Sequence, residues 1–147
     1  MISVRRAVDS DIAGLCEVFR RASWSNEGDR PLLTEHPEFL EWSGDPAREG
    51  RTIVAVDDGV LVGFVSTLGD GPVIEIEDLF VDPDWMRQGA ASLLIESAAA
   101  AARAAGHTRL VVDGNAHALA FYRHAGFVGE HEVALDHGSA TRMHRDL

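Results

Sequence analysis

Two stretches of the chain carry residue types at spacings that could do chemistry. The first runs Leu79-Phe80-Val81-Asp82-Pro83-Asp84-Trp85-Met86-Arg87-Gln88-Gly89-Ala90-Ala91-Ser92-Leu93-Leu94. An apolar strand ends, a turn follows, and a helix opens on small residues. The first amides of a helix have no partner inside it and point outward together. With the helix dipole they form an anion site suited to phosphate. Gly89, Ala90 and Ala91 let an anion approach the backbone, and Arg87 and Ser92 can add a charge and a hydroxyl. A tight strand–helix turn with no ligand would carry the same pattern. The second stretch runs Asn115-Ala116-His117-Ala118-Leu119-Ala120-Phe121-Tyr122-Arg123-His124-Ala125-Gly126-Phe127. Asn115 can cap a short helix. Phe121 and Phe127 read as core, and Tyr122, beside Phe121, faces another way. A phenol of ordinary pKa, ~10, stays protonated at neutral pH and can donate a proton to a thiolate. A surface tyrosine is the plainer alternative.

The elements that must position these residues follow from periodicity and turn signals. Residues 2–8 read as a strand, and Asp9-Ser10-Asp11 offers caps for a helix bearing Ile12, Leu15, Phe19 and Ala22 on one face. Residues 23–50 are irregular, with Pro31, Pro37 and Pro46 and one expected helix near 38–42. Strands follow at 51–56 and 60–68 around the Asp57-Asp58-Gly59 turn, and a third at 73–81. Residues 89–105 form a long helix stopped by Gly106. Residues 107–112 read as a strand buried on both faces, 115–124 as a short helix, and 127–135 with 141–147 as a final hairpin. The order predicts one domain over residues 1–147, of mixed α/β (α+β) class, a sheet with helices on its faces.

Composition narrows the function classes. A chain of 147 residues can bury a sizeable core without disulfides or metal. The single cysteine, Cys16, excludes an internal disulfide framework and a multi-cysteine zinc site, and fits a reducing, cytoplasmic setting. Cys16, on the first helix, reads as a small core residue. No apolar run approaches the ~20 residues that span a bilayer, and residues 1–6 lack a signal-peptide core. The net charge of −11 disfavours nucleic acid and acidic membranes as partners. All 13 strong bases are arginines, which removes Schiff-base and P-loop lysine chemistry. Neither G-x-x-x-x-G-K-[ST] nor a post-strand G-x-G-x-x-G occurs. His131, His137 and His144 on the final hairpin fit no familiar metal spacing, so no metal is expected.

Taken together, V-x-P-x-W-x-x-x-G-x-A-x-L-L (from Val81) and N-x-x-A-x-x-F-Y-x-x-x-G-F (from Asn115) resemble the GNAT superfamily of acyl-CoA-dependent N-acetyltransferases. The element order matches over nearly the whole chain. The resemblance implies a mostly antiparallel twisted sheet in which two parallel strands splay apart, with helices on both faces. It implies acetyl-CoA as co-substrate, its pyrophosphate on the amides from Arg87 through Gln88, Gly89, Ala90 and Ala91 to Ser92. The pantetheine arm would pair with the backbone of a bulged strand at Leu79, Phe80 and Val81, and Asn115 and Phe121 would flank the cofactor. Tyr122 would protonate the departing sulfur. The family loop opens with Gln or Arg where this chain has Met86, which puts part of the phosphate affinity in question.

The implied reaction is direct attack of a primary amine on the thioester in a ternary complex, so no cysteine nucleophile is needed. Glu75 and Glu77 share a strand face, and Glu75 falls where the histone-type members place their base. Two carboxylates on one face raise each other's pKa, which suits a base near neutrality; a water chain is the alternative. An amide near Val81 would face the oxyanion. The acceptor would be bound by residues 23–50 and the last hairpin, with Trp24, His36 and Trp42 available as lining. The acidic neighbours Glu27, Asp29, Glu35, Glu38 and Glu41 suit a cationic amine, or are a solvated face. A non-catalytic acyl-CoA-binding regulatory module is the rival function, and a homodimer is open by analogy with relatives.

Overall fold

The computed structural model describes all 147 residues. The chain runs β1 (Ile2–Arg6), α1 (Ile12–Trp24), α2 (Arg30–Glu35), α3 (Asp45–Arg48), β2 (Thr52–Asp57), β3 (Val60–Leu68), β4 (Val73–Val81), α4 (Ala90–Ala104), β5 (Arg109–Gly114), α5 (Leu119–His124), β6 (Val128–Leu135) and β7 (Gly138–Asp146). Seven strands form one mixed sheet in the order β1-β2-β3-β4-β5-β7-β6, flanked by the helices. β4 and β5 pair in parallel over Val73–Ile76 and Arg109–Val112, and β4 runs on to Val81. By contacts the chain divides into two compact units, residues 1–66 with 78–97 and residues 67–77 with 98–147, so β4 and α4 each contribute to both. No helix is long and apolar enough to cross a membrane.

The first unit is organised by an aromatic chain. Phe19 of α1 meets Phe80 of β4 edge-on at 4.7 Å, Phe80 lies 5.7 Å from Phe64 of β3, and Phe64 lies 4.7 Å from Trp42. Leu15, Val18 and Val54 are buried with them. Each such ring contributes roughly 1.5–3 kcal/mol through the apolar area it removes from water. Gly63 lets β3 come close to its neighbours. A Cβ there would stand 2.8 Å from the Phe80 carbonyl and 3.3 Å from Leu94 of α4.

The second unit is built on rows across its strands. Ile76, Val112 and Met143 stand opposite one another on β4, β5 and β7, and all three are buried. β5 was expected to be buried on both faces; it alternates instead. Leu110 and Val112 are buried, whereas Val111 and Asp113 are only half-buried. The reason is its neighbourhood. β5 has a parallel partner on one side and the antiparallel β7 on the other, and its second face carries the Asp113–Arg142 ion pair at 2.7 Å.

Residues 23–50 hold more structure than one helix near 38–42. Residues 37–40 make a 3₁₀ turn, and α2 and α3 flank it. Proline stands in the first turn of each of these three pieces, where its missing N–H costs nothing and its fixed φ suits a helix start. Gly63→Ala should lower stability by about 2 kcal/mol and Tm by about 6 °C, because the new methyl meets a backbone carbonyl that cannot rotate away. Calorimetric melting checks this; an unchanged Tm would show that β3 and β4 can separate freely.

Candidate active site

The β4–α4 junction lies wholly in the first unit. β4 ends at Val81, residues 83–85 form a 3₁₀ turn, and residues 86–89 lead into α4. Leu93 donates to the Gly89 carbonyl at 3.0 Å, the first bond of the helix. The amides of Ala90, Ala91 and Ser92 precede that bond and have no partner within the helix. Gly89 has φ +87° and Arg87 φ +64°. Gly89 takes that conformation without strain, whereas for Arg87 a left-handed backbone costs roughly 1–2 kcal/mol. Met86, Arg87, Gln88, Gly89 and Ser92 are exposed, Ala91 is half-buried and Ala90 is buried. Gln88 donates its side-chain amide to the Asp84 carbonyl at 3.4 Å. Leu79, Phe80 and Val81 are half-buried at the end of β4.

Sequence reasoning missed what holds this junction. Asp82 is 8% exposed. Its carboxylate accepts from the Asp84 amide at 3.0 Å and from Arg21 of α1 at 3.1 and 3.2 Å, and its own amide donates to the Val62 carbonyl at 2.8 Å. Trp85 pins the turn a second time, its indole N–H donating to Asp57 at 3.2 Å. Asp78, buried on β4, was also passed over. The Trp42 indole donates to its carboxylate at 3.1 Å. Asp82-Pro83-Asp84 is a recognisable local cap signal; Arg21, 61 residues from Asp82, is not.

The second unit presents Tyr122, and the motif spacing explains how. α5 ends in a paired C-terminal cap: Gly126, at φ +93°, donates to the Arg123 carbonyl at 3.1 Å, and Phe127 donates to the Tyr122 carbonyl at 2.9 Å. This is the Schellman arrangement, in which the residue after the glycine touches the one five before it. The rings of Tyr122 and Phe127 accordingly meet edge-on at 5.4 Å. At the other end the Asn115 side chain accepts from the Ala118 amide at 3.1 Å, and the Ala118 carbonyl receives the Tyr122 amide. Asn115 thus shapes the turn before α5, which begins at Leu119 rather than at Asn115. Gly114 makes room for the phenol, since a Cβ there would stand 3.1 Å from its ring.

Two expectations are corrected here. Tyr122 is buried, 6% exposed, and Phe121 is half-buried. The side chain read as core and the one read as facing elsewhere exchange places, because Tyr122, not Phe121, is the residue that the cap brings onto Phe127. Burial pushes the Tyr122 phenol up to about 12. No side-chain oxygen that is fully enclosed lacks a partner.

Glu75 is half-buried and Glu77 exposed on β4. Glu75 stands opposite Val111, and Val111 opposite His144. Asp113 next along β5 is held well below the usual carboxylate range by Arg142, which also feels the charge of Glu75. Of the residues expected around the acceptor, His36 stacks on Phe39 at 4.8 Å and approaches Glu38 at 3.1 Å. Trp24 is exposed beneath the Arg30 guanidinium at 5.2 Å. Trp42 is packed against the aromatic core. Cys16 is half-buried, its thiol 3.4 Å from the Trp42 carbonyl. No group of three His, Cys, Asp or Glu side chains is placed to hold a metal ion.

The mixed sheet with its parallel β4–β5 pair and flanking helices defines an architecture, and comparison with known proteins identifies its class. The Acetyltransferase (GNAT) family profile matches residues 15–127. The peptidyl-lysine N-acetyltransferase YjaB of Salmonella typhimurium is 32% identical over 138 residues, 90% of this chain and 89% of that protein. A GCN5-related N-acetyltransferase from Rhodopseudomonas palustris superposes with TM-score 0.75 at 26% identity, covering 99% of this chain and 95% of that one. The PaiA N-acetyltransferase of Thermoplasma acidophilum, solved in complex with coenzyme A, shares the fold at TM-score 0.78 and 17% identity over 100% and 99% of the two chains. The chain belongs to the GNAT family and is an acyl-CoA-dependent acetyltransferase.

The chain has one tyrosine, so phenolate absorbance reports Tyr122 alone. Its midpoint is expected near 12 in the folded protein and near ~10 in denaturant. The raised value means stability that is fully present below ~pH 10 and lost as pH rises through the folded midpoint, by at most about 3 kcal/mol. Tyr122→Phe should flatten that loss. A folded midpoint near ~10 would mean a hydrated phenol.

Proposed function

We propose that the whole chain, residues 1–147, is one N-acetyltransferase domain that moves the acetyl group of acetyl-CoA to a primary amine. The observation that carries this reading is the start of α4, where amides unbonded within the helix follow a glycine held at φ +87°. In this reading the diphosphate of CoA lies on the amides of Gly89, Ala90, Ala91 and Ser92, with Arg87 and Gln88 beside it. Met86 is exposed and supplies no charge, so the backbone carries most of the recognition. The pantetheine arm pairs with the backbone at Leu79, Phe80 and Val81, and Asn115 and Phe121 flank it. The complex of the Thermoplasma PaiA protein with coenzyme A supports the choice of donor.

An amine must lose its proton before or during attack, since in water at pH 7 it is protonated, with pKa near ~10. Glu75, and Glu77 beside it, accept that proton directly or through water. Nitrogen attacks the thioester carbonyl, the oxyanion is met by a backbone amide near Val81, and the tetrahedral adduct collapses by releasing the CoA thiolate. Tyr122 gives its proton to that sulfur, and the second proton shed by the nitrogen as the amide forms restores the phenol. Burial keeps the phenol neutral over the working pH range, so the proton is in place when sulfur leaves.

The acceptor we propose first is a lysine side chain in a peptide, because the Salmonella relative is a peptidyl-lysine N-acetyltransferase. The acidic residues Glu27, Asp29, Glu35, Glu38 and Glu41 suit a cationic acceptor. A cytoplasmic setting and, by analogy with relatives, a homodimer complete the reading. With acetyl-CoA and lysine peptides, Tyr122→Phe is expected to lower kcat about 100-fold and Glu75→Gln about 10–100-fold, both with little change in donor KM. Full activity in Tyr122→Phe would remove the proposed acid. CoA binding without transfer to any amine would favour the binding module.

A further inference from the structure

The β4–α4 junction contains one ionic contact that no step above uses. Arg21 projects from α1 and grips both oxygens of the buried Asp82 carboxylate, Nε at 3.1 Å and an Nη at 3.2 Å; the same Nη reaches Asp84 at 3.0 Å. We propose that Arg21 is a positioning residue for donor binding, holding residues 86–89 in the conformation that presents the α4 amides to a diphosphate. The inference rests on the reading of α4 given above.

Three observations carry it. First, Asp82 is held through both its backbone and its side chain. Its amide is on β3, its carboxylate caps the 3₁₀ turn, and Arg21 closes the remaining side. Residues 83–85 lead from it directly into the loop. Second, that loop holds Arg87 at φ +64°. A left-handed residue with a Cβ persists only where its surroundings over-determine it, and the Arg21–Asp82 and Trp85–Asp57 bonds are the side-chain fastenings that tie the turn to α1 and β2. Third, Asp82 and Asp84 are carboxylates placed just ahead of an anion site. Left unneutralised they would repel a diphosphate, and Arg21 offsets them. Asp84 is mostly exposed, so Asp82 is the contact that matters. A planar fork meets this geometry where an ammonium does not.

The test is steady-state kinetics on Arg21→Gln, Arg21→Lys and Asp82→Asn, with calorimetric CoA binding to the same proteins. Arg21→Gln is expected to raise donor KM and CoA Kd about 10-fold, with kcat and acceptor KM within about twofold. Arg21→Lys should recover part of the loss. Asp82→Asn keeps a turn-capping oxygen and also removes the carboxylate's repulsion, so weaker donor binding in it reports positioning alone and unchanged or tighter binding overturns the inference; it decides the matter if Arg21→Gln fails to fold. Unchanged CoA affinity in a folded variant overturns the inference alone. So does an equal loss of kcat and both affinities that tracks loss of folded protein, the mark of a merely structural role. Absence of CoA binding to the unaltered protein instead overturns the reading beneath it.

Discussion

An α-helix cannot bond its own first amides, and the donor site we propose depends on that fact. α4 is the longest helix, and small residues stand where it begins. Ala90 and Ala91 are helix formers that leave the backbone open to a ligand, and Gly89 bends the chain into the helix at an angle that a side chain would resist. In the proposed reading, what makes the amides a site rather than a frayed end is the turn before them, held to β3 by Asp82, to β2 by Trp85 and to α1 by Arg21. Preorganised dipoles do not have to be turned when charge arrives.

The second unit solves the opposite electrostatic problem. In the proposed mechanism the phenol there is to remain neutral until sulfur leaves. Burial supplies this by penalising phenolate. The burial is in turn a consequence of a helix ending: the glycine cap of α5 fixes Phe127 against Tyr122, and the absent side chain at Gly114 leaves the ring its place. The motif Y-x-x-x-G-F is therefore a packing rule as well as a chemical one.

The sequence made some parts of this legible and hid others for identifiable reasons. β3 and β4 have the bounds expected of them, because turns mark their ends: Asp58 and Gly59 adopt positive φ, and residues 69–72 separate the pair. α4 differs by one residue at each end, being flanked by Gly89 and Gly106. Residues 23–50 were hard because proline can open a helix as readily as it ends one. The face of β5 and the exchange between Phe121 and Tyr122 were hard because burial depends on tertiary neighbours. The residues proposed for the donor and for the acid are local in sequence and follow from pattern alone. Arg21, Asp78 with Trp42, and Gly114 act through partners or spaces that no local pattern encodes.

The most direct measurement follows backbone amide resonances while CoA is added to the folded protein. The largest shifts should fall on Gly89, Ala90, Ala91 and Ser92. They should saturate together and be absent when pantetheine, which lacks the diphosphate, replaces CoA. Saturable CoA binding that leaves these four resonances unmoved, or no binding of any CoA species at millimolar concentration, would contradict the account.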